Sequence, residues 1–107
     1  MAIQETITKL TDKMNQDPEG IQGIDAVYQF DIEGSETHQV RLAGGSAEYR
    51  QGEEFDADCI LTMTEANFAK LTAGQLNPTT AFMTGKLKVK GDLSLAVRLQ
   101  SLLKKYS

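Results

Sequence analysis

His38 and Cys59 are the two side chains with which this sequence could do nucleophilic or general-base chemistry, and each is the only residue of its type among 107. A catalytic imidazole needs an orienting partner and a nucleophile beside it. His38 stands between Thr37 and Gln39, next to the hairpin signal "GSE", and is expected to be an exposed polar residue. Cys59 lies in the apolar run "ADCILTM", where a lone cysteine reads as a small buried hydrophobe rather than a reactive thiol. A thiol-dependent reaction at Cys59 is the enzymatic alternative. One histidine and one cysteine make no His/Cys metal cluster and no intrachain disulfide. Glu53, Glu54, Asp56 and Asp58 crowd one connection, but without the regular spacing of a calcium loop, and read as a solvated acidic turn. "AGGS" joins two strands instead of opening a helix, so it is no phosphate loop. No cofactor is expected.

Charge narrows the partners. The net charge is −4, unevenly spread. Residues 85–107 carry six basic side chains against Asp92, whereas residues 1–84 carry five basic against fourteen acidic. An acidic body is repelled by phosphate backbones, so nucleic acid is not an expected partner. The basic C-terminal part is suited to transient contact with an anionic membrane surface or an anionic ligand. In "KLKVK" the lysines alternate with Leu87 and Val89, which suits a solvated strand face or a protected sheet edge better than a docking stripe.

The elements that position these residues follow from periodicity. Ile3, Ile7, Leu10 and Met14 mark one face of an amphipathic helix. Pro18, Gly20 and Gly23 punctuate the chain, with Pro18 opening a short helical turn after Asp17 as cap. From Ile24 the period becomes two: Ile24, Ala26, Tyr28, Phe30 and Ile32 face inward on a strand. Two more strands follow across Gly34 and across Gly44-Gly45, with Val40 and Leu42 inward and Gln39 and Arg41 outward, as an antiparallel meander. "ADCILTMT" is a fourth strand with Cys59, Leu61 and Met63 on one face. Thr64 caps a helix whose inner stripe is Phe68 and Leu71, and Gly74 ends it. Asn77-Pro78 opens a short helix that closes near Gly85. "KLKVKG" is a fifth strand, and Asp92 caps a final helix striped by Leu95, Ala96, Leu99, Leu102, Leu103 and Tyr106, widened by Leu93 and Val97. One α+β domain over residues 1–107 is expected: a five-stranded, mainly antiparallel sheet covered by helices on one face, with water on the other. No apolar run is long enough for a membrane span, and the N-terminus does not read as a signal peptide. With the single cysteine this points to the cytoplasm.

Phe68, Leu71, Leu76, Phe82, Met83, Leu87, Val89, Leu95, Leu99 and Leu102 are all expected to face inward from consecutive elements. Met63 and Met83 would make such packing adaptable. Periodicity does not separate a plain core from the wall of an apolar cavity.

Residues 71–103, "LTAGQLNPTTAFMTGKLKVKGDLSLAVRLQSLL", resemble the sterol carrier protein 2 family. The resemblance is carried by Gly74, Asn77, Pro78, Ala81, Phe82, Gly85, Lys86, Leu87, Lys88, Val89, Gly91 and Asp92, with "ADCILTMTEANFAKL" and "YQFDIEG" upstream. It implies a sheet covered on one face by helices around an apolar tunnel. It also implies a non-enzymatic carrier of fatty acids, fatty acyl-CoA or sterol-like lipids. The residues expected to wall that tunnel are Phe68, Leu71, Leu76, Phe82, Met83, Leu95, Leu99 and Leu102, with Phe30 and Ile32 on the sheet floor. The last helix is the expected gate, with Lys104 and Lys105 available to a carboxylate, a CoA phosphate or anionic lipid. The C-terminal "KYS" is not a peroxisomal address, which again favours the cytoplasm. The alternative is a domain of this fold that acts as an interaction or dimerisation module without lipid cargo.

Overall fold

The computed structural model describes residues 3–106. Helix α1 (Ile3–Gln16) buries Ile3, Ile7, Thr11 and Met14, and a 3-10 turn (Pro18–Ile21) follows. The sheet comprises β1 (Ala26–Glu33), β2 (Thr37–Ala43), β3 (Ser46–Gln51), β4 (Cys59–Thr64) and β5 (Lys88–Gly91). Helices α2 (Glu65–Thr72) and α3 (Pro78–Met83) lie between β4 and β5, and α4 (Leu93–Tyr106) ends the described chain. Strand order is β3-β2-β1-β4-β5. All pairs are antiparallel except β1–β4, which is parallel, so the fold is α+β with a mixed sheet.

Local chemistry explains each boundary. Gly44 and Gly45 both have positive φ (59° and 76°), the geometry of a two-residue hairpin turn that matches strand twist. Thr64 Oγ1 accepts from Asn67 N–H at 3.1 Å and so caps α2. Asn77 Oδ1 accepts from Thr79 and Thr80 N–H, with Pro78 in the first helical turn. Asp92 Oδ1 accepts from Ser94 N–H at 2.9 Å and from Ser94 Oγ at 2.6 Å, which holds its carboxyl below the usual carboxylate range. Asp17, by contrast, makes no side-chain cap to the 3-10 turn. Its carboxylate instead lies 3.4 Å from Lys105 Nζ.

The inner face of the sheet carries Tyr28, Phe30, Ile32, Val40, Leu42, Leu61 and Met63 into one core with the helical stripes. The outer face departs from the expected half-wet sheet. Gln39 is fully buried there, because residues 52–58 fold across the strands as a strap. Gln39 Nε2 donates to Phe55 O and to Gln29 Oε1, and its Oε1 accepts from Phe55 N–H. Gln29 Nε2 reaches Glu53 Oε1 at 3.2 Å, and the Arg41 guanidinium sits 5.2 Å from the Phe55 ring centre. Asp58 Oδ2 accepts from Val27 N–H. The acidic turn is thus a cover whose carboxylates act singly. Among the described residues no group of three His, Cys, Asp or Glu is placed to hold a metal ion, and no helix is long and apolar enough to cross a membrane.

Three further expectations are corrected. His38 is buried, at 2% exposure, because it shares the inner face with Val40 and Leu42. Phe82 (44% exposed) and Met83 (79%) lie at the surface, since the six-residue α3 buries only Pro78 and Ala81. Leu93 and Val97 are exposed as well, which narrows the buried stripe of α4 to Ala96, Leu99, Leu102, Leu103 and Tyr106.

Candidate functional site

Between the sheet and the helices lies a cavity of about 30 Å³ with a wholly apolar surface. Helix α1 contributes Ile7, Leu10, Thr11 and Met14, and the sheet contributes Tyr28, Phe30, Val40 and Leu42. Helix α2 adds Phe68, Leu71 and Thr72, and α4 closes it with Leu99, Leu102 and Leu103. The ring of Phe68 meets Phe30 edge-on, with centroids 5.8 Å apart. Both threonines turn their hydroxyls back onto helix carbonyls, Thr11 to Thr8 and Thr72 to Phe68, so only their methyl groups are offered to the interior.

Two open grooves flank α4. One, of about 750 Å³, runs along Gln22, Ile24, Leu95, Arg98, Leu102 and Lys105. The other, of about 450 Å³, runs along Leu71, Leu76, Pro78, Gln100, Leu103 and Lys104. Leu102 belongs to both the cavity and the first groove; Leu71 and Leu103 belong to both the cavity and the second. Helix α4 is therefore the partition between the interior and the surface on either side.

Two tyrosines hold that partition. Tyr28, rising from β1, donates its hydroxyl to Leu95 O at 2.7 Å. Burial keeps this phenol far above its usual pKa, so it remains a donor. At the other end Tyr106 Oη donates to Asp17 O at 2.6 Å and accepts from Gly20 N–H at 3.0 Å.

The residues expected at the site divide into four groups. Phe30, Phe68, Leu71, Leu99 and Leu102 come together around the cavity. Ile32 is buried in the same core without lining it. Leu95 and Leu76 lie in the first and second grooves respectively. Phe82 and Met83 are on the outside of α3. Sequence reasoning missed the contribution of α1, although the Ile3/Ile7/Leu10/Met14 stripe marked the face that provides it.

Cys59 is wholly buried in β4, opposite Tyr28 and Gly91. Burial, with Asp92 and Asp58 adding to it, pushes its thiol up to about 11. In the folded state its alkylation at pH 8 is expected to be at least about 100-fold slower than in urea, given an unperturbed thiol near 8.5. Comparable rates would reopen a thiol-based activity.

A family model described as the SCP-2 sterol transfer family matches residues 6–104. The chain is 36% identical over 107 residues to hydroxysteroid dehydrogenase-like protein 2 of Homo sapiens, covering 95% of this chain and 25% of that protein. It is 35% identical over 104 residues to sterol carrier protein 2 of Bos taurus, covering 95% of this chain and 19% of that one. The chain thus spans a quarter or less of these two relatives. Its fold is similar to that of sterol carrier protein 2 from Yarrowia lipolytica in its apo form, with a TM-score of 0.77 at 28% identity over 92% of this chain and 87% of that one. With its five-stranded mixed sheet and the apolar cavity beneath α4, the chain belongs to the SCP-2 sterol transfer family.

Proposed function

We propose that this domain is a non-enzymatic carrier that holds a fatty acid, fatty acyl-CoA or sterol-like lipid between α4 and the sheet. Family membership makes it a lipid-binding or lipid-transfer domain; the cargo and the route are our reading. The observation that supports this reading most strongly is that only side chains of α2 and α4, among them Leu71, Leu102 and Leu103, stand between the apolar cavity and a groove on each side of α4. Burial stabilises an acyl chain by about 0.8 kcal/mol per methylene, so a long chain binds without polar anchors along its length. Such a wall discriminates weakly between chain lengths.

The cavity is about the size that admits one water, whereas ligand sites usually occupy roughly 300–1,000 Å³. Loading therefore requires α4 to move outward and merge the cavity with a groove. Lys104 and Lys105, one in each groove, would meet a CoA phosphate, or a carboxylate during entry. Phe82, Met83, Leu93 and Val97 are exposed apolar side chains in or beside the basic segment, and suit transient contact with an anionic membrane in the cytoplasm.

Titration with a fluorescent fatty acid tests the carrier directly. Saturable one-to-one binding at micromolar protein is expected, and its absence would refute the proposal. The gate has its own test in Tyr106→Phe. Loss of the two hydrogen bonds at Asp17 and Gly20 is worth about 1–2 kcal/mol on the opening of α4. Ligand release in stopped flow should then be about 5- to 30-fold faster. An unchanged rate would place the gate elsewhere. The small cavity also favours a second reading, an interaction module whose tunnel is filled. Native mass spectrometry of protein purified from cells separates the two, because a carrier retains co-purified lipid.

A further inference from the structure

Among the described residues, one buried side-chain nitrogen or oxygen has no hydrogen-bond partner: Nε2 of His38. Buried polar atoms are almost always satisfied, because leaving one unpaired forfeits its hydration. Its position gives the exception a meaning. Alternation along β2 puts His38 on the same face as Val40 and Leu42, and the β1–β2 register sets it directly opposite Phe30. Val40, Leu42 and Phe30 line the apolar cavity; His38 is their neighbour on the sheet but is not itself part of the lining, so a lipid head must extend the cavity past Phe30 and Val40 to reach it. The other ring nitrogen, Nδ1, is engaged 2.7 Å from Tyr49 Oη, and the two rings stack with centroids 5.9 Å apart. The two ring nitrogens diverge, so Nε2 does not face the Tyr49 hydroxyl that engages Nδ1.

Burial lowers the His38 pKa below its ordinary value, which keeps the ring neutral at pH 7. A neutral imidazole carries one N–H. If Tyr49 donates to Nδ1, that hydrogen is on Nε2; if Nδ1 donates to Tyr49, Nε2 presents a lone pair. Either arrangement matches a hydroxyl group, which both donates and accepts. It also matches a carboxylic acid, which can share its single proton with Nε2 so that the pair stays neutral overall and no lone charge is buried. The hydroxyls of Thr11, Thr72 and Tyr28 on the cavity wall have no proton left to offer a lipid head, since all three donate to backbone carbonyls.

We propose that His38 Nε2 is the polar end of the lipid site, and that it receives the terminal hydroxyl or carboxyl oxygen of a lipid that enters head first. This rests on the carrier reading and makes it more specific. Free lipids with one small oxygen head are the selected class. An acyl-CoA, whose head is large and multiply charged, would have to bind tail first and leave Nε2 unengaged.

Because His38 is the only histidine, ¹⁵N imidazole spectra of the wild-type protein report on it alone. The probes are hexadecanol, palmitic acid, palmitoyl-CoA and 1-chlorohexadecane, which lacks a hydrogen-bonding head. Hexadecanol or palmitic acid should shift the Nε2 resonance at saturation, and the remaining two should not. His38→Leu should weaken hexadecanol or palmitic acid by about tenfold relative to 1-chlorohexadecane, the loss of one hydrogen bond, and His38→Gln should recover part of the difference. Saturable binding of all four with an unmoved Nε2 signal would overturn the anchor and leave the carrier intact. Binding of none would overturn both. If only hexadecanol shifts the signal, the anchor serves hydroxyl lipids; if only palmitic acid does, it serves free acids.

Discussion

Phe68→Ala is expected to lower the unfolding free energy by about 3–5 kcal/mol, the usual cost of removing a buried phenyl ring from a core. Phe68 is 1% exposed, meets Phe30 edge-on and forms part of the cavity wall. Truncation removes both its apolar burial and its contacts, and the space left adds to a void that already exists. Against a typical total of about 5–15 kcal/mol, the variant would be folded but marginal. The enlarged cavity should hold an acyl chain with less displacement of α4. Added fatty acid should therefore raise the variant's melting temperature by more than it raises the wild type's. Urea denaturation with and without ligand measures both effects. A stability loss under about 1 kcal/mol would mean that Phe68 is not the core residue described here.

Gly91→Ala is expected to be nearly as damaging, for a different reason. Gly91 has φ +99°, and a Cβ there would overlap the carbonyl oxygen of Asp58, a backbone atom with no freedom to retreat. That carbonyl also accepts from Asp92 N–H at 2.9 Å, immediately before the cap of α4. Strain at such a φ and overpacking each cost roughly 1–3 kcal/mol, so a loss on the order of 3 kcal/mol is expected. The damage should spread to α4, with amide exchange accelerated from Leu95 onward. Gly85→Ala serves as the control: its φ is +78°, but a Cβ would meet nothing within 4 Å. Only conformational strain of about 1 kcal/mol is expected there. Equal losses for the two alanines would show that the close approach to Asp58 is not what requires a glycine.

Much of the fold was legible because it is encoded locally. Thr64, Asn77 and Asp92 could be read as caps from side-chain chemistry and position, and each makes the expected bond. The paired glycines at 44 and 45 could be read as a turn because few other residues adopt those angles. The parallel pairing of β1 with β4 was not legible, since it joins segments some thirty residues apart and leaves no local signature. The strap at 52–58 was missed for a related reason. Alternation assigns a residue to a face of the sheet but says nothing of what crosses that face, so Gln39 looked solvated and is buried.

The site shows the same division. The stripe of α4 pointed to Leu99 and Leu102, and strand periodicity pointed to Phe30; all three line the cavity. Phe82 and Met83 were misplaced because a two-turn helix has too little surface to bury every apolar residue it carries. His38 was misplaced because its neighbourhood in sequence is a polar hairpin, while its neighbours in space are Phe30, Val40 and Tyr49. That a cavity exists was suggested by the family resemblance, not by periodicity.

The carrier reading is tested most directly by isotope-filtered NMR of the protein saturated with ¹³C-labelled palmitic acid. A lipid held between α4 and the sheet gives cross-peaks from the acyl chain to the methyl groups of Leu99 and Leu102 and to the rings of Phe30 and Phe68. Cross-peaks confined to Phe82, Met83 and Val97, or no cross-peaks at saturating lipid, would contradict it.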